Sequence, residues 1–260
     1  MKRAAFPQEA RNFIMGIIYI IFAIYSIYII MTAQKFSQKL LFGILFILIF
    51  SIALYAEYLR HLYQHAIQTI AYDVMPQKGK KEYDNLLKKD IFKAYNSSKV
   101  IYDTLYYADM LEPSSLLETM ETHYKMFHQN IDNLLIWHYN QLYAHFLLKD
   151  TKIVQEEYTK IIRMKDAKVK GHKLSPLYNW DFIDALYLFS RKDYKQSFNC
   201  FKKTNIQNMN NREKLHYYYY QFSNLCRIMH NRSMEEECIK KIRQIGGTSK
   251  IIEVVNHENE

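Results

Sequence analysis

The stretch best suited to chemistry is "EYLRHLYQHAIQTI", in which Glu57, His61 and His65 follow one another at intervals of four residues. This spacing places the three side chains on one face of a helix, where a His pair at i and i+4 can share a metal ion. A zinc enzyme also needs a general base, and Leu62 occupies the position of the Glu in the His-Glu-x-x-His motif. The pattern therefore indicates a candidate metal site without a complete catalytic set, and we expect no cofactor.

The same residues have a second interpretation, as a polar stripe at a membrane boundary. They follow two apolar runs, Asn12 to Met31 and Leu40 to Ala56. The first run has no charged residue and, at about 20 residues, is long enough to cross a bilayer as a helix. The second has about 17 residues, and Tyr58 and Leu59 extend it through the interface. A cleaved signal peptide fits the first run poorly because its apolar core is too long. We therefore predict an antiparallel transmembrane hairpin over residues 12–59.

The distribution of Lys and Arg predicts the orientation of this hairpin. The two outer flanks contain Lys2, Arg3, Arg11, Arg60, Lys78, Lys80 and Lys81. The connection between the runs contains only Lys35 and Lys39. Positive residues are retained on the cytoplasmic side, so both ends of the chain are expected there.

Four regions follow from this topology. We expect a cytoplasmic flank (1–11), the hairpin (12–59), a membrane-proximal stalk and linker (60–81) and a cytoplasmic helical domain (82–260). A composition rich in Lys, Asn, Ile and Tyr is typical of an AT-rich genome such as that of a low-GC Gram-positive bacterium. We therefore expect the bacterial plasma membrane as the location.

The net charge of +9 is explained mostly by this topology. Residues 1–81 contain nine Lys or Arg and three acidic residues, so only three of the nine excess charges belong to the remaining chain. We expect membrane lipid as a partner and no nucleic acid. One basic segment, "RMKDAKVKGHK", is either a solvated loop or a contact with an anionic surface. Its cations are Arg163, Lys165, Lys168, Lys170 and Lys173.

After the hairpin, the chain contains few Gly and Pro residues, and its apolar residues recur at intervals of three and four. This periodicity predicts an all-α domain. The segment "NWDFIDALYLFSRKDYKQSFNCFKKT" resembles the tetratricopeptide repeat (TPR) in its alternation of small and large residues. The positions that carry the resemblance are Ala185, Leu188, Tyr194, Ser197 and Phe201. Similar helix–turn–helix patterns occur about 40 residues earlier and later. We predict a TPR-like α-solenoid, with an irregular helical array as the alternative.

The resemblance implies a non-enzymatic scaffold or adaptor that binds a protein or peptide partner at the cytoplasmic membrane face. Helical arrays expose concave surfaces, and aromatic side chains on such a surface suit peptide binding. The candidate contact residues are Trp137, His138, Tyr143, Tyr217, Tyr218, Tyr219 and Tyr220. The competing interpretation is helix packing through hydrogen-bonded rings.

The sequence also allows two other functions. The first is a peptide receptor or immunity-type membrane protein, because the helical repeats resemble those of cytoplasmic peptide-pheromone sensors. The second is a metal-dependent enzyme at the membrane edge that uses Glu57, His61 and His65. A homo-oligomer is also open. Three cysteines without short paired spacing favour reduced thiols over a disulfide framework.

Overall fold

The computed structural model describes residues 8–165, 167–169, 172–173, 179–228 and 232–257. The chain divides into two compact units, and the division falls between His61 and Leu62. The described residues are helical apart from connecting turns and one antiparallel pair of two-residue strands, β1 (Lys168–Val169) and β2 (His172–Lys173). The predicted all-α class is therefore confirmed.

The first unit is a pair of apolar helices. They are α1 (Gln8–Thr32) and α2 (Phe36–Ala71), and the last residues of α2 belong to the second unit. The Tyr19 and Phe50 ring centroids lie 6.3 Å apart, and those of Phe22 and Phe46 lie 5.7 Å apart, both edge-to-face. Because the residue number rises along one helix as it falls along the other, the two helices are antiparallel.

Both helices are long and apolar enough to cross a membrane. The candidate helices are Phe13–Thr32 and Phe36–Ala71, whose most apolar 18-residue stretches have mean hydropathies of 2.5 and 2.4, respectively. Of the residues in the most apolar stretch, 6% are buried in the first helix and 0% in the second. A core helix of a soluble protein, by contrast, is mostly buried. Length and composition therefore allow both helices to span a bilayer of about 30 Å.

The second unit is built from helices that pack mainly against their neighbours along the chain. After the end of α2, they are α3 (Pro76–Lys89), α4 (Asn96–Asp109), α5 (Pro113–Thr122), α6 (Tyr124–Phe127), α7 (Ile131–Leu147), α8 (Thr151–Met164), α9 (Trp180–Ser190), α10 (Tyr194–Lys203), α11 (Asn211–Ile228), α12 (Arg232–Ile245) and α13 (Lys250–His257). A short 3₁₀ helix, Ile206–Asn208, precedes α11. Residues 62–81, which the sequence assigned to a stalk and linker, pack as part of this unit.

The α7–α8 and α9–α10 turns have the same local structure. Lys149 and Lys192 have positive φ angles of 61° and 63°, and each is followed by an aspartate. Asp150 and Asp193 cap the next helix by accepting hydrogen bonds from the backbone N–H three residues later, at 3.3 and 3.2 Å. Their own N–H groups donate to the carbonyl five residues earlier, at 2.9 and 3.0 Å. The predicted helical hairpins are confirmed at both turns, while the TPR resemblance stays a prediction.

The small residues of the α9–α10 hairpin lie where helices meet. The Ser197 hydroxyl donates to the Ala185 carbonyl at 2.8 Å and accepts from Asn224 Nδ2 at 3.1 Å. All three residues are buried. One hydroxyl therefore links α9, α10 and α11.

Contacts distant in sequence also join the beginning and the end of the second unit. Ser249, just before α13, donates through Oγ to the Asp109 carbonyl at 3.1 Å. The Thr248 N–H donates to the Val74 carbonyl at 2.9 Å. In an open solenoid each repeat contacts only its neighbours. These contacts go beyond that pattern, so the solenoid arrangement is not confirmed.

Candidate binding cleft

A cleft of about 730 Å³ opens beside the two equivalent turns, where the α7–α8 and α9–α10 hairpins lie next to α11. Its volume is in the range of small-molecule and peptide-anchor pockets. The sequence repeats a Phe-x-x-Lys-Asp pattern at these turns, as "FLLKD" and "FSRKD". The repeat places one Phe and one Lys from each hairpin in the cleft lining.

Aromatic rings form the apolar part of the cleft. Phe146 is edge-to-face with Phe189 and Tyr220, at centroid distances of 5.6 and 5.4 Å. Phe189 is also edge-to-face with Tyr194, at 5.2 Å, and Tyr219 completes the aromatic lining. Because the rings hold one another, the apolar surface is formed before any ligand arrives.

The charged groups of the cleft are all positive. They are Lys149, Lys192 and Arg227, and none of the described residues that line the cleft is acidic. The Arg227 guanidinium carbon lies 5.1 Å from the Phe189 ring centroid and 5.5 Å from that of Tyr194. Arg227 therefore lies over the aromatic lining while its side chain is exposed to solvent. The cleft is suited to a ligand with both apolar and anionic groups.

A chain of buried polar groups leads from the cleft to the interior. The Tyr220 hydroxyl donates to Tyr143 Oη at 3.0 Å, and Tyr143 Oη lies 3.3 Å from His216 Nδ1. His216 Nε2 lies 2.8 Å from Asp109 Oδ1, and Asp109 Oδ2 accepts from Arg212 Nε at 2.7 Å. All five residues are buried, so the floor of the cleft rests on a polar network shielded from water.

The charges of this network follow from burial and from the neighbours of each group. Burial acts to raise the pKa of Asp109, but the Arg212 charge and the hydrogen bond from His216 outweigh it and lower that pKa. Burial lowers the pKa of His216 despite its hydrogen bond to Asp109. A neutral His216 donates from Nε2 to Asp109 and accepts at Nδ1 from the Tyr143 hydroxyl. This tautomer satisfies both ring nitrogens.

The tyrosine run of α11 is divided between the cleft and the core. Tyr219 and Tyr220 line the cleft, and Tyr143 lies beneath it. Tyr217 is buried and accepts a hydrogen bond from Gln221 Nε2 at 2.7 Å, whereas Tyr218 is partly buried beside the core. Only part of the predicted contact set therefore meets at one surface.

Trp137 and His138 do not line the cleft. Trp137 is buried, with its ring centroid 4.9 Å from that of His128. His138 Nδ1 lies 2.6 Å from Glu157 Oε2, and Lys160 Nζ donates to Glu157 Oε1 at 2.6 Å. Burial acts to raise the pKa of Glu157, but the hydrogen bonds from His138 and Lys160 outweigh it and lower that pKa. His138 therefore takes part in a hydrogen-bonded contact between α7 and α8.

Comparisons of the chain with family models, curated proteins and solved structures find no match.

The candidate metal residues have partners of other kinds. Glu57 pairs with Arg60. His65 Nδ1 lies 3.0 Å from Glu82 Oε2, which also accepts from the Thr69 hydroxyl at 2.6 Å. Across the described ranges, no group of three or more His, Cys, Asp or Glu side chains could hold a metal ion. The proposed pairing of His61 with His65 on an ion stays a prediction.

The basic segment is only partly described. Arg163 is exposed near the end of α8, and Lys165 Nζ lies 5.7 Å from the Trp180 ring centroid. Lys168 and Lys173 belong to the paired strands, and Lys170 lies outside the described residues. Contact of this segment with an anionic surface stays a prediction.

Proposed function

We propose that this protein is a membrane-anchored, non-enzymatic adaptor. Its cleft binds a segment of a partner protein that carries both acidic side chains and apolar side chains, aromatic or aliphatic. The observation that carries the proposal is the combination of a preformed aromatic lining with three cations and no acidic lining residue. Apolar contact supplies most of the affinity of such sites, and charge complementarity selects the partner and speeds its encounter.

The charge at the cleft depends on two helix N-termini as well as on side chains. The helices α8 and α10 both begin at the cleft, with Thr151 and Tyr194 among the lining residues. The positive end of the helix dipole lies at a helix N-terminus. Lys149 and Lys192 precede these two helices in equivalent turns. Asp150 and Asp193 cap these two N-termini and offset their positive ends. The positive charge of the cleft therefore comes from the side chains of Lys149, Lys192 and Arg227, which favour an acidic segment over a neutral or basic one.

The anchor in this proposal is the pair α1 and α2, which cross the bacterial plasma membrane and leave both chain ends in the cytoplasm. The length and hydropathy of the two spans support the crossing, and the excess of Lys and Arg on the outer flanks supports the orientation. The second unit then displays its cleft at the cytoplasmic face of the membrane.

Peptide binding by the full-length chain in detergent tests the cleft. Two fluorescent peptides share their aromatic residues, and one carries Glu where the other carries Lys. We expect the acidic peptide to bind more tightly in fluorescence anisotropy. Charge reversal at Lys149, Lys192 and Arg227 should weaken its binding by about tenfold or more, which corresponds to about 1.4 kcal/mol.

A matched variant reverses the charge of Lys125, Lys203 and Lys240, which are exposed and do not line the cleft. It changes the net charge equally and should leave the affinity nearly unchanged. Equal losses in both variants would mean that only the net charge attracts the peptide, and that result would overturn the assignment of the cleft.

Labelling of intact cells tests the orientation. Ser37 is the second residue of α2 and directly follows the short connection from α1. Ser37→Cys should react with a membrane-impermeant maleimide in intact cells. The wild-type chain, with Cys200, Cys226 and Cys238 in the second unit, should react only after permeabilisation. Labelling of the wild type in intact cells would reverse the proposed orientation.

A further inference from the structure

The loop between α3 and α4 exposes two large apolar side chains. Ile91 is 78% exposed and Phe92 is 71% exposed, more than any other large apolar side chain among the described residues of the second unit. Adjacent large apolar side chains at this level of exposure commonly mark a protein or membrane contact. Isolated exposed apolar residues, by contrast, are ordinary.

Hydrogen bonds connect the two ends of the loop to each other and to α3. Asp90 is buried, and its Oδ2 accepts a hydrogen bond from the Tyr95 N–H at 2.8 Å. The Tyr83 hydroxyl donates to the Tyr95 carbonyl at 3.1 Å, and the Lys93 N–H donates to the Asp90 carbonyl at 3.2 Å. The apolar tip is therefore presented by an ordered turn.

Positive charge surrounds the apolar tip. Lys88, Lys89 and Lys93 are exposed on either side of it, and the one acidic side chain of the loop, Asp90, is buried. Apolar side chains flanked by lysines are typical of segments that enter the headgroup region of an anionic bilayer. A soluble acidic partner would be attracted by the same lysines but would not require two adjacent apolar residues at the tip.

The loop also lies beside the part of α2 that follows the apolar span. A Cβ atom built at Gly79 of α3 would lie 3.4 Å from the Ala66 carbonyl oxygen of α2. One turn later in α3, the Tyr83 ring centroid lies 5.9 Å from that of Tyr63, which is one turn earlier in α2. Hence α3 runs back along the last turns of α2. The Tyr95 ring, at the end of the loop, lies 5.0 Å from the Tyr63 ring. Tyr63 lies four residues after Leu59, where the sequence ends the predicted span, so the loop packs against the part of α2 that follows this span in the sequence.

We infer that the Lys88–Lys93 loop is a second membrane contact, in which Ile91 and Phe92 insert into the headgroup region and the three lysines bind anionic lipid. This inference rests on the proposed anchoring by α1 and α2. It fixes the second unit against the membrane at a point separate from the anchor.

Fluorescence of the full-length chain in lipid nanodiscs tests the loop. Phe92→Trp adds one tryptophan to Trp137 and Trp180, whose emission is subtracted by means of the wild-type chain. We expect brominated lipids to quench at least about half of the added emission in discs containing phosphatidylglycerol. Charge reversal of Lys88, Lys89 and Lys93 should reduce this quenching severalfold, as should discs made only of phosphatidylcholine.

Two further variants make the outcome specific. Leu148→Trp reports on another exposed apolar residue, at the α7–α8 turn, and should not be quenched. Residue 47 lies within the apolar span, so the emission of Ile47→Trp should be quenched strongly by brominated lipids in discs of either composition. Quenching at residue 47 without quenching at residue 92 would overturn the loop contact and leave the anchor intact. Absence of quenching for a tryptophan at residue 47 would overturn the anchoring itself. Equal quenching at residues 92 and 148 would show that the loop is no closer to the lipid than the α7–α8 turn, and would overturn the loop contact.

Discussion

Asp109 and Arg212 form a buried ion pair across 103 residues of sequence, with a distance of 2.7 Å between Oδ2 and Nε. The same carboxylate faces His216 Nε2 at 2.8 Å. Asp109 ends α4, and the other two residues belong to α11. The ion pair therefore holds the helix that carries the tyrosines of the cleft against the first half of the second unit.

Replacing Asp109 by Asn should strongly destabilise the second unit, because it removes the negative charge that pairs with the buried Arg212 guanidinium. Removal of one member of a buried ion pair costs about 3–5 kcal/mol. Chemical denaturation followed by tryptophan fluorescence measures the loss. Both tryptophans, Trp137 and Trp180, lie in the second unit, so the signal reports on this unit. The control is Asp103→Asn, which breaks a partly exposed i,i+4 pair with Lys99 and should cost at most about 1 kcal/mol. Similar losses in the two variants would contradict a structural role for the buried pair.

The free energy of unfolding should fall as the pH falls below about 6.5, partly because of His216. Burial keeps the pKa of His216 below its ordinary value of 6.5. The unfolded chain therefore binds a proton at this position in a pH range where the folded chain does not, and acid favours unfolding. Asp109 and Arg212 face the ring on one side, and Tyr143 faces it on the other.

His216→Gln removes this titration, so its unfolding midpoint should depend less steeply on pH than that of the wild type between about pH 5 and 7. The lowered pKa values of Asp109 and Glu157 act in a more acidic range, since their stabilisation is lost only below the ordinary values of 3.8 and 4.5. Parallel pH profiles for wild type and variant would show that another group governs this range.

Gly247 should tolerate no side chain, whereas its neighbour Gly246 should tolerate one at moderate cost. A Cβ at Gly247 would lie 2.3 Å from the Val74 carbonyl oxygen and 2.9 Å from that of Asp73, at a φ of +100°. A Cβ at Gly246, with a φ of +68°, would meet nothing within 4 Å. Gly247→Ala should therefore lower the free energy of unfolding by more than about 2 kcal/mol, against about 1 kcal/mol for Gly246→Ala. Thermal denaturation of both variants tests this order, and the reverse order would refute the close approach.

The purified protein should contain no stoichiometric metal ion at Glu57, His61 and His65. Glu57 pairs with Arg60, and His65 lies within hydrogen-bonding distance of Glu82. Metal analysis of the wild type and of the double variant His61→Ala, His65→Ala measures this directly. An ion bound in a one-to-one ratio by the wild type and lost from the double variant would instead support the metal hypothesis.

Local features of the fold could be predicted from the sequence because their causes are local. The uncharged run after Asn12 predicted an apolar helix, and α1 confirms it. The polar residues between Ser190 and Tyr194 predicted the break between α9 and α10, where the structure has a turn. In each case a few neighbouring residues determine the outcome through hydropathy or helix capping.

The cleft and its buried support could not be predicted in the same way. Nothing near Asp109 indicates that Arg212 will lie beside it, since the pairing depends on how the intervening helices pack. The lysines and phenylalanines of the cleft do have a signal in the sequence, the repeated Phe-x-x-Lys-Asp pattern, which lies outside the predicted set of tyrosines, Trp137 and His138. That the two occurrences of this pattern lie at one surface depends again on how the helices pack.

If the cleft has the proposed function, the left-handed backbone at Lys149 and Lys192 sets the stability of the turns against ligand binding. Glycine is the residue that adopts such φ angles without strain, and another residue costs about 1 kcal/mol or more there. The chain nevertheless has lysine at both positions, with φ of 61° and 63°, and both side chains line the cleft. Glycine at either position would relax the turn and remove a positive charge from the proposed binding surface. Selection for thermal stability alone should therefore favour glycine at these two turns and weaken the proposed binding. Selection for binding of the partner should retain lysine.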